Sequence, residues 1–279
     1  MPQAMQLDIG TRFALNDGNR IPVLGLGVFE VPSGRVAQDT VSTALAEGYR
    51  HVDTAKYYRN EKDVGMAIRA SGLPRADVFV TSKLWNDDHG TERALGAGRK
   101  SCRQLGLGHI DLYLIHWPVA GLRGKSWDAL VRLREEGVAR SIGVSNYRVP
   151  HLEELLASSS TVPAVNQVEF HPFLYQKELL RFCQRHGIQL EAYAPLTKGE
   201  RLRDPKLIEI AAKVGRTPAQ VLLRWALQHE VVVIPRSVRP ERIRENRQIF
   251  DFHISSKEMD ALDRLDEGFR TDWNPDKEP

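Results

Sequence analysis

The chain has 279 residues, a length that suits one large domain such as a (β/α)8 barrel, which occupies about 250 residues. Hydrophobic residues make up 42% and charged residues 27%, a globular balance that excludes a disordered or fibrous chain. The 39 Lys and Arg against 36 Asp and Glu leave a formal charge of +3, too weak for a bulk nucleic-acid binder. Residues 1–9 carry neither the basic nor the apolar segment of an export signal, so a cytoplasmic location is expected. Apolar stretches at 13–15 and 21–24 flank Asn16-Asp17-Gly18-Asn19, and Asp-Gly in that setting predicts a β-hairpin over 13–23. Strands are then predicted at 23–26, 50–53, 78–83, 110–116, 139–144, 164–170, 189–193 and 231–235. Helical patterns fall near 36–47, 61–70, 91–105, 127–136, 150–157, 176–186, 205–214 and 218–229. Ser126 and Thr217-Pro218 read as helix starts. The longest aliphatic run, 231–234, is far short of the roughly 20 residues of a membrane span. Cys102 and Cys183 form no ligand spacing, which excludes a disulfide scaffold or zinc module.

Strands alternating with helices imply parallel pairing, and eight such units without a linker imply one closed barrel over residues 1–279, with a tail at 266–279. In that fold every strand's C-terminal end faces the same side. The predicted ends are Asp53, Lys83, His116, Ser145-Asn146, Asn166-Gln167 with Glu169, Tyr193 and Arg236-Ser237. Tyr58 follows Asp53 in the next loop. Asp53, Tyr58, Lys83 and His116 form a plausible proton-transfer set. An ammonium would lower a tyrosine's pKa, a carboxylate would hold the ammonium, and an imidazole would polarise a carbonyl oxygen. The same residues would also suit a plain Asp–Lys salt bridge lining the barrel, and spacing alone leaves both readings open.

Gly48-Tyr49-Arg50-His51-Val52-Asp53-Thr54-Ala55, followed by Tyr58 and Asn60-Glu61, resembles the first signature of the aldo-keto reductases. Further blocks match in order: 111–118, Ser141-Ile142-Gly143-Val144-Ser145-Asn146, Asn166-Gln167-Val168-Glu169 with His171-Pro172, and Ile234-Pro235-Arg236-Ser237-Val238. Lys83-Leu84-Trp85-Asn86-Asp87 and Arg236-Ser237-Val238-Arg239 are most similar to the bacterial 2,5-diketo-D-gluconate reductase branch. The resemblance implies a (β/α)8 barrel that reduces aldehydes or ketones with NADPH, with Tyr58 as acid and Asp53, Lys83 and His116 as its partners.

The resemblance further implies NADP(H) contacts from Ser145, Asn146, Gln167, Tyr193, Pro195, Leu196, Arg236, Ser237, Val238, Arg242, Glu245 and Asn246. Tyr193 offers a stacking face, and the arginines with Ser237 offer a 2′-phosphate cradle. Gly25-Leu26-Gly27 lacks the third glycine of a Rossmann fingerprint and belongs to the first strand. Phe29, Trp85, His116, Trp117 and Trp273 are expected around substrate, a small carbonyl compound. Arg244 and Arg247 read as solvated, and Arg123 and Arg270 as unanchored cations near the pocket. Arg236 replaces the family's usual lysine, and Ala194 its frequent serine. His51, His116 and His171 lie on separate strands without ligand spacing, so no metal is assigned. Gly124-Lys125-Ser126 lacks the leading glycine of a phosphate loop and reads as a loop ending in a helix cap. The expected protein is a monomer that binds neither nucleic acid nor membrane. The alternative is an NADPH-binding regulatory subunit of the same fold with little turnover.

Overall fold

The computed structural model describes residues 7–275; residues 1–6 of the N-terminal stretch and 276–279 of the predicted tail lie outside the described residues. A two-stranded antiparallel ribbon, β1 (Arg12–Ala14) and β2 (Arg20–Pro22), opens the chain. Its turn holds Gly18 at φ 87°, a left-handed conformation that glycine adopts without a Cβ penalty. Then follow β3 (Leu26–Gly27), α1 (Arg35–Ala46), β4 (His51–Asp53), α2 (Glu61–Ala70), β5 (Phe79–Leu84) and α3 (Thr91–Leu105). The middle of the chain gives β6 (Ile110–Ile115), α4 (Arg123–Glu135), β7 (Ala139–Ser145), α5 (Val149–Ser158), β8 (Val165–Glu169) and α6 (Lys177–Arg185). The last part gives β9 (Gln189–Tyr193), α7 (Pro205–Val214), α8 (Pro218–Gln228), β10 (Val232–Val233), α9 (Pro240–Asn246) and α10 (Ser256–Asp263).

Strands β3 to β10 pair in parallel, each with its sequence neighbour. The sheet closes on itself: Leu24 bridges Val233, and the Gly25 N–H donates to Val233 O at 2.8 Å. This is the predicted (β/α)8 barrel. Every residue of β5 and β6 is buried, as expected where helices cover the outside and side chains fill the inside. Glycine is required where the ends of the sheet meet. A Cβ on Gly25 would lie 2.7 Å from His51 Nδ1, and one on Gly27 would lie 2.9 Å from Ile234 O. The ribbon plugs the barrel's N-terminal end, where Phe13, Leu15 and Ile21 pack on Phe79, Leu112, Leu114, Val165 and Val232.

Several local expectations are corrected. Helix α4 starts at Arg123, so Ser126 lies inside it and caps nothing; its Oγ donates to Leu122 O at 3.0 Å and accepts the Gly90 N–H at 3.0 Å. Gly124-Lys125-Ser126 is therefore helix, not loop. Thr217 does cap α8, accepting from the Gln220 N–H, while Gln220 Oε1 accepts the Thr217 N–H at 3.0 Å. Helices α9 and α10 were not predicted. β10 pairs over only two residues of the expected 231–235, and Pro235 beyond it has no N–H to give a ladder. Among the described residues no helix is long and apolar enough to cross a membrane.

Candidate active site

A cavity of about 750 Å³ opens at the C-terminal ends of the strands, where barrel enzymes carry their chemistry. Asp53 ends β4, His116 follows β6, and both line it with Tyr58. Tyr58 closes a short 3₁₀ turn, Lys56–Tyr58. The loop carrying that turn is fixed by Asn60, whose Oδ1 accepts from Thr54 Oγ1 at 2.7 Å and whose Nδ2 donates to Val28 O at 2.9 Å. Lys83, near the end of β5, is fully buried behind the wall. Its ammonium donates to Asp53 Oδ1 at 2.6 Å, to Thr54 O at 3.0 Å and to Tyr58 Oη at 3.3 Å. The His116 ring meets the Tyr58 ring edge-on with centroids 5.8 Å apart. Asp53, Tyr58, Lys83 and His116, distant in sequence, are thus brought together.

Their electrostatics differ from the sequence reading in one respect. Burial, reinforced by the Asp53 charge, holds the Tyr58 phenol well above its ordinary value of 10.0, whereas an ammonium alone was expected to lower it. The Lys83 charge is matched by Asp53 at contact distance, so desolvation wins. Tyr58 is a protonated donor throughout the neutral range. Burial and Lys83 push His116 well below 6.5, so its imidazole is neutral. Burial raises the Asp53 carboxyl, against the opposing pull of Lys83 and Gln167.

Ser145, Asn146, Tyr193, Pro195 and Leu196 line the same cavity. Asn146 sits at φ 63°, a left-handed conformation that asparagine tolerates better than most residues. Its Nδ2 donates to His116 O at 3.0 Å, and its Oδ1 accepts from the Tyr193 hydroxyl at 2.8 Å. Gln167 is 2% exposed and lies behind the wall, its Nε2 donating to Asp53 Oδ2 at 2.8 Å. Arg236, Ser237, Val238, Arg239 and Arg242 line another part of the wall, with Arg236 donating to Glu30 O at 2.8 Å. Glu245 and Asn246 do not line it: Asn246 is buried, and Glu245 borders a smaller surface hollow. Arg244 and Arg247, expected to face only water, both engage Glu47, Arg244 at 2.8 Å. The residues present suit a phosphorylated dinucleotide: guanidinium groups and a hydroxyl in one region, and an aromatic face with amide groups in another.

All the aromatics expected at the substrate, Phe29, Trp85, Trp117 and Trp273, border the cavity. Trp273 lies 5.5 Å from Trp117 and 6.2 Å from Trp85, centroid to centroid. Tyr57 was missed. It stacks on Trp85 at 3.9 Å and lines the cavity, and only its place beside Tyr58 could have suggested so. Lys198 was missed too; it lines the cavity and donates to Thr271 O at 2.9 Å. Arg123 is taken by Glu154 and borders no part of the cavity. His51 bonds Thr81 Oγ1 at 3.0 Å and His171 meets Glu169 at 3.2 Å, separate structural contacts.

The sequence model of the Aldo/keto reductase family matches residues 23–267. A glyoxal reductase of Bacillus subtilis (strain 168) is 49% identical over 263 residues, which is 94% of this chain and 95% of the relative. Among solved structures, a variant of Gox0644 in complex with NADPH is similar at a TM-score of 0.90 and 40% identity, covering 97% of this chain and 99% of that one. A Bombyx mori aldo-keto reductase in complex with NADP matches at a TM-score of 0.90 and 33% identity, covering 98% of each chain.

Proposed function

This chain belongs to the aldo/keto reductase family and is an NADP-dependent oxidoreductase, and from that premise we propose that it reduces small reactive carbonyls, 2-oxoaldehydes above all, with Tyr58 as proton donor. The observation that carries this reading is Lys83 Nζ lying between Asp53 Oδ1 and Tyr58 Oη at a cavity wall. Bound NADPH supplies the hydride. Tyr58 Oη gives its proton to the carbonyl oxygen, and Lys83, held by Asp53, stabilises the phenolate as it forms. Neutral His116 is a hydrogen-bonding partner for that oxygen, not a rival acid. Ser145, Asn146 and Tyr193, with Gln167 reaching from behind the wall through its Oε1, orient the nicotinamide, and Arg236, Ser237 and Arg242 take the 2′-phosphate.

The substrate class follows from the walls. Phe29, Tyr57, Trp85, Trp117 and Trp273 offer mainly apolar faces, and such contacts discriminate by only about 1–3 kcal/mol per methylene. Intrinsic carbonyl reactivity then sets the order: 2-oxoaldehydes and aromatic aldehydes ahead of simple ketones. The glyoxal reductase relative supports that order. The finer likeness to the 2,5-diketo-D-gluconate reductase branch extends the range to diketo-sugars, ranked lower. The same reading takes residues 1–279 as one domain working as a cytoplasmic monomer, and light scattering near 31.6 kDa checks the monomer.

NADPH oxidation measured with glyoxal, methylglyoxal, an aromatic aldehyde, a simple ketone and 2,5-diketo-D-gluconate tests the range. A kcat/KM for the sugar far above every aldehyde would overturn it. Tyr58→Phe is expected to lower kcat by about 10²–10⁴-fold while NADPH binding barely changes. Retention of most of kcat would remove Tyr58 from the role of acid.

A further inference from the structure

Inside the barrel, next to Asp53 and Gln167, lies a carboxyl that the steps above do not use. Glu191 sits in the middle of β9, fully buried, two residues before Tyr193 and so on the same face of the strand. Its Oε2 accepts from Gln167 Nε2 at 2.7 Å, and that same nitrogen donates to Asp53 Oδ2 at 2.8 Å. An amide nitrogen has two hydrogens, so both are engaged. Gln167 can therefore meet a ligand only through its carbonyl Oε1, as an acceptor. Turning the amide over would set that oxygen against the Asp53 carboxyl, whose other oxygen pairs with Lys83 at 2.6 Å, so Asp53 and Glu191 share the hold on the amide.

We propose that Glu191 is a positioning residue: through Gln167 it presents a single hydrogen-bond acceptor to the nicotinamide carboxamide and so fixes the orientation of the cofactor ring. This rests on the reading that places Gln167 beside the nicotinamide. Four groups face Glu191: Gln167 on β8, His51 on β4 with Nε2 3.6 Å from Oε1, and the Asp53–Lys83 pair. Burial and the Asp53 charge push the Glu191 carboxyl up to about 8, and burial pushes His51 down to about 3. At neutral pH Glu191 thus accepts from Gln167 without adding a second charge beside Asp53. Above about pH 8 it adds one, which favours the cationic oxidised ring over the neutral reduced one.

The test is binding, read by tryptophan fluorescence, of NADP+ and of its 3-acetylpyridine analogue, which has a methyl group where the carboxamide has its NH₂. Wild type is expected to prefer NADP+ by about tenfold, the size of one hydrogen bond. Gln167→Leu should abolish the preference, Glu191→Leu, which leaves Asp53 alone to hold the amide, should reduce it severalfold, and the double variant should lose no more than Gln167→Leu. Glu191→Gln keeps an acceptor and the shape but cannot ionise. It should keep the preference, while the rise in NADP+ affinity relative to NADPH above about pH 8, present in wild type, disappears. That second measurement decides the matter if the leucine variant does not fold. Preference lost in Gln167→Leu but undiminished in Glu191→Leu, or identical pH dependence in wild type and Glu191→Gln, would overturn the proposal. Preference kept in Gln167→Leu would instead overturn the placement of Gln167 beside the nicotinamide.

Discussion

A single guanidinium carries much of the expected cofactor choice. Arg242 lies on α9, is exposed, and borders the cavity beside Ser237 and Arg239. In the proposed reading a fork of donors there would meet a 2′-phosphate and have nothing to bind in NADH. Arg242→Ala should weaken NADPH by roughly 1.5–3 kcal/mol, the range for hydrogen bonds to charged groups, and leave NADH nearly unchanged. Equal losses for both cofactors would show that Arg242 supports the fold instead. Residue chemistry of this kind was legible because strand ends in a barrel converge, and Asp53, Lys83 and His116 each stand at one. The direction of the Tyr58 shift was not legible, since it depends on burial by elements far away in sequence. Glu191 passed as an ordinary member of its strand. A carboxylate between Leu190 and Ala192 was the available signal, and a buried partner for it appears only once β8 and β9 pair.

At the scale of elements, the C-terminal segment is held across the cavity from two sides, by the Glu169 carboxylate and the Lys198 ammonium. Glu169 Oε1, at the end of β8, accepts from the Thr271 N–H and from Thr271 Oγ1, each at 2.7 Å. Lys198 holds Thr271 O from the other side, and Trp273 is thereby kept over Trp85 and Trp117. Burial pushes the Glu169 carboxyl up, but His171 and Thr271 outweigh it and hold it below its ordinary range. A depressed carboxyl stabilises above its unfolded value, about 4.3, and that contribution fades as pH falls through the lower folded value. The latch is therefore intact at neutral pH and opens in acid. Glu169→Leu should open it at pH 7, raising KM for aldehydes roughly tenfold, as expected for loss of hydrogen bonds to a charged group. Proteolytic nicking within 266–275 should quicken in parallel, and unchanged nicking would show that the latch does not hold the tail. Long helices and buried strands were readable from their periodicity. α9 and α10 are short and lie beyond the last predicted strand, although Pro240 and Ser255 mark their starts.

Across the whole molecule, chemistry and stability are separated along the barrel axis. The layer with Asp53 and Lys83 is catalytic in the proposed reading. Next comes a polar layer of His51, Thr81, Gln167 and Glu191, joined by hydrogen bonds and the close His51–Glu191 approach. Then comes an apolar layer of Phe79, Leu112 and Val165, sealed by the ribbon. The hairpin was readable from Asp17-Gly18, but its role as a plug was not, because that depends on the barrel having closed. Ile21, fully buried in the plug, isolates the stability function. Ile21→Ala leaves a cavity beneath the apolar layer and should cost about 2–5 kcal/mol. At about 2 °C per kcal/mol for a chain of this size, Tm should fall by roughly 4–10 °C. The polar layer lies between that cavity and Tyr58, and its buried hydrogen bonds resist collapse into the void. NADPH affinity and kcat below the melting transition should therefore stay within about twofold of wild type, since sites without shared contacts act nearly independently. A fall in kcat at temperatures where the variant is fully folded would mean that the plug and the proton donor are coupled through the interior.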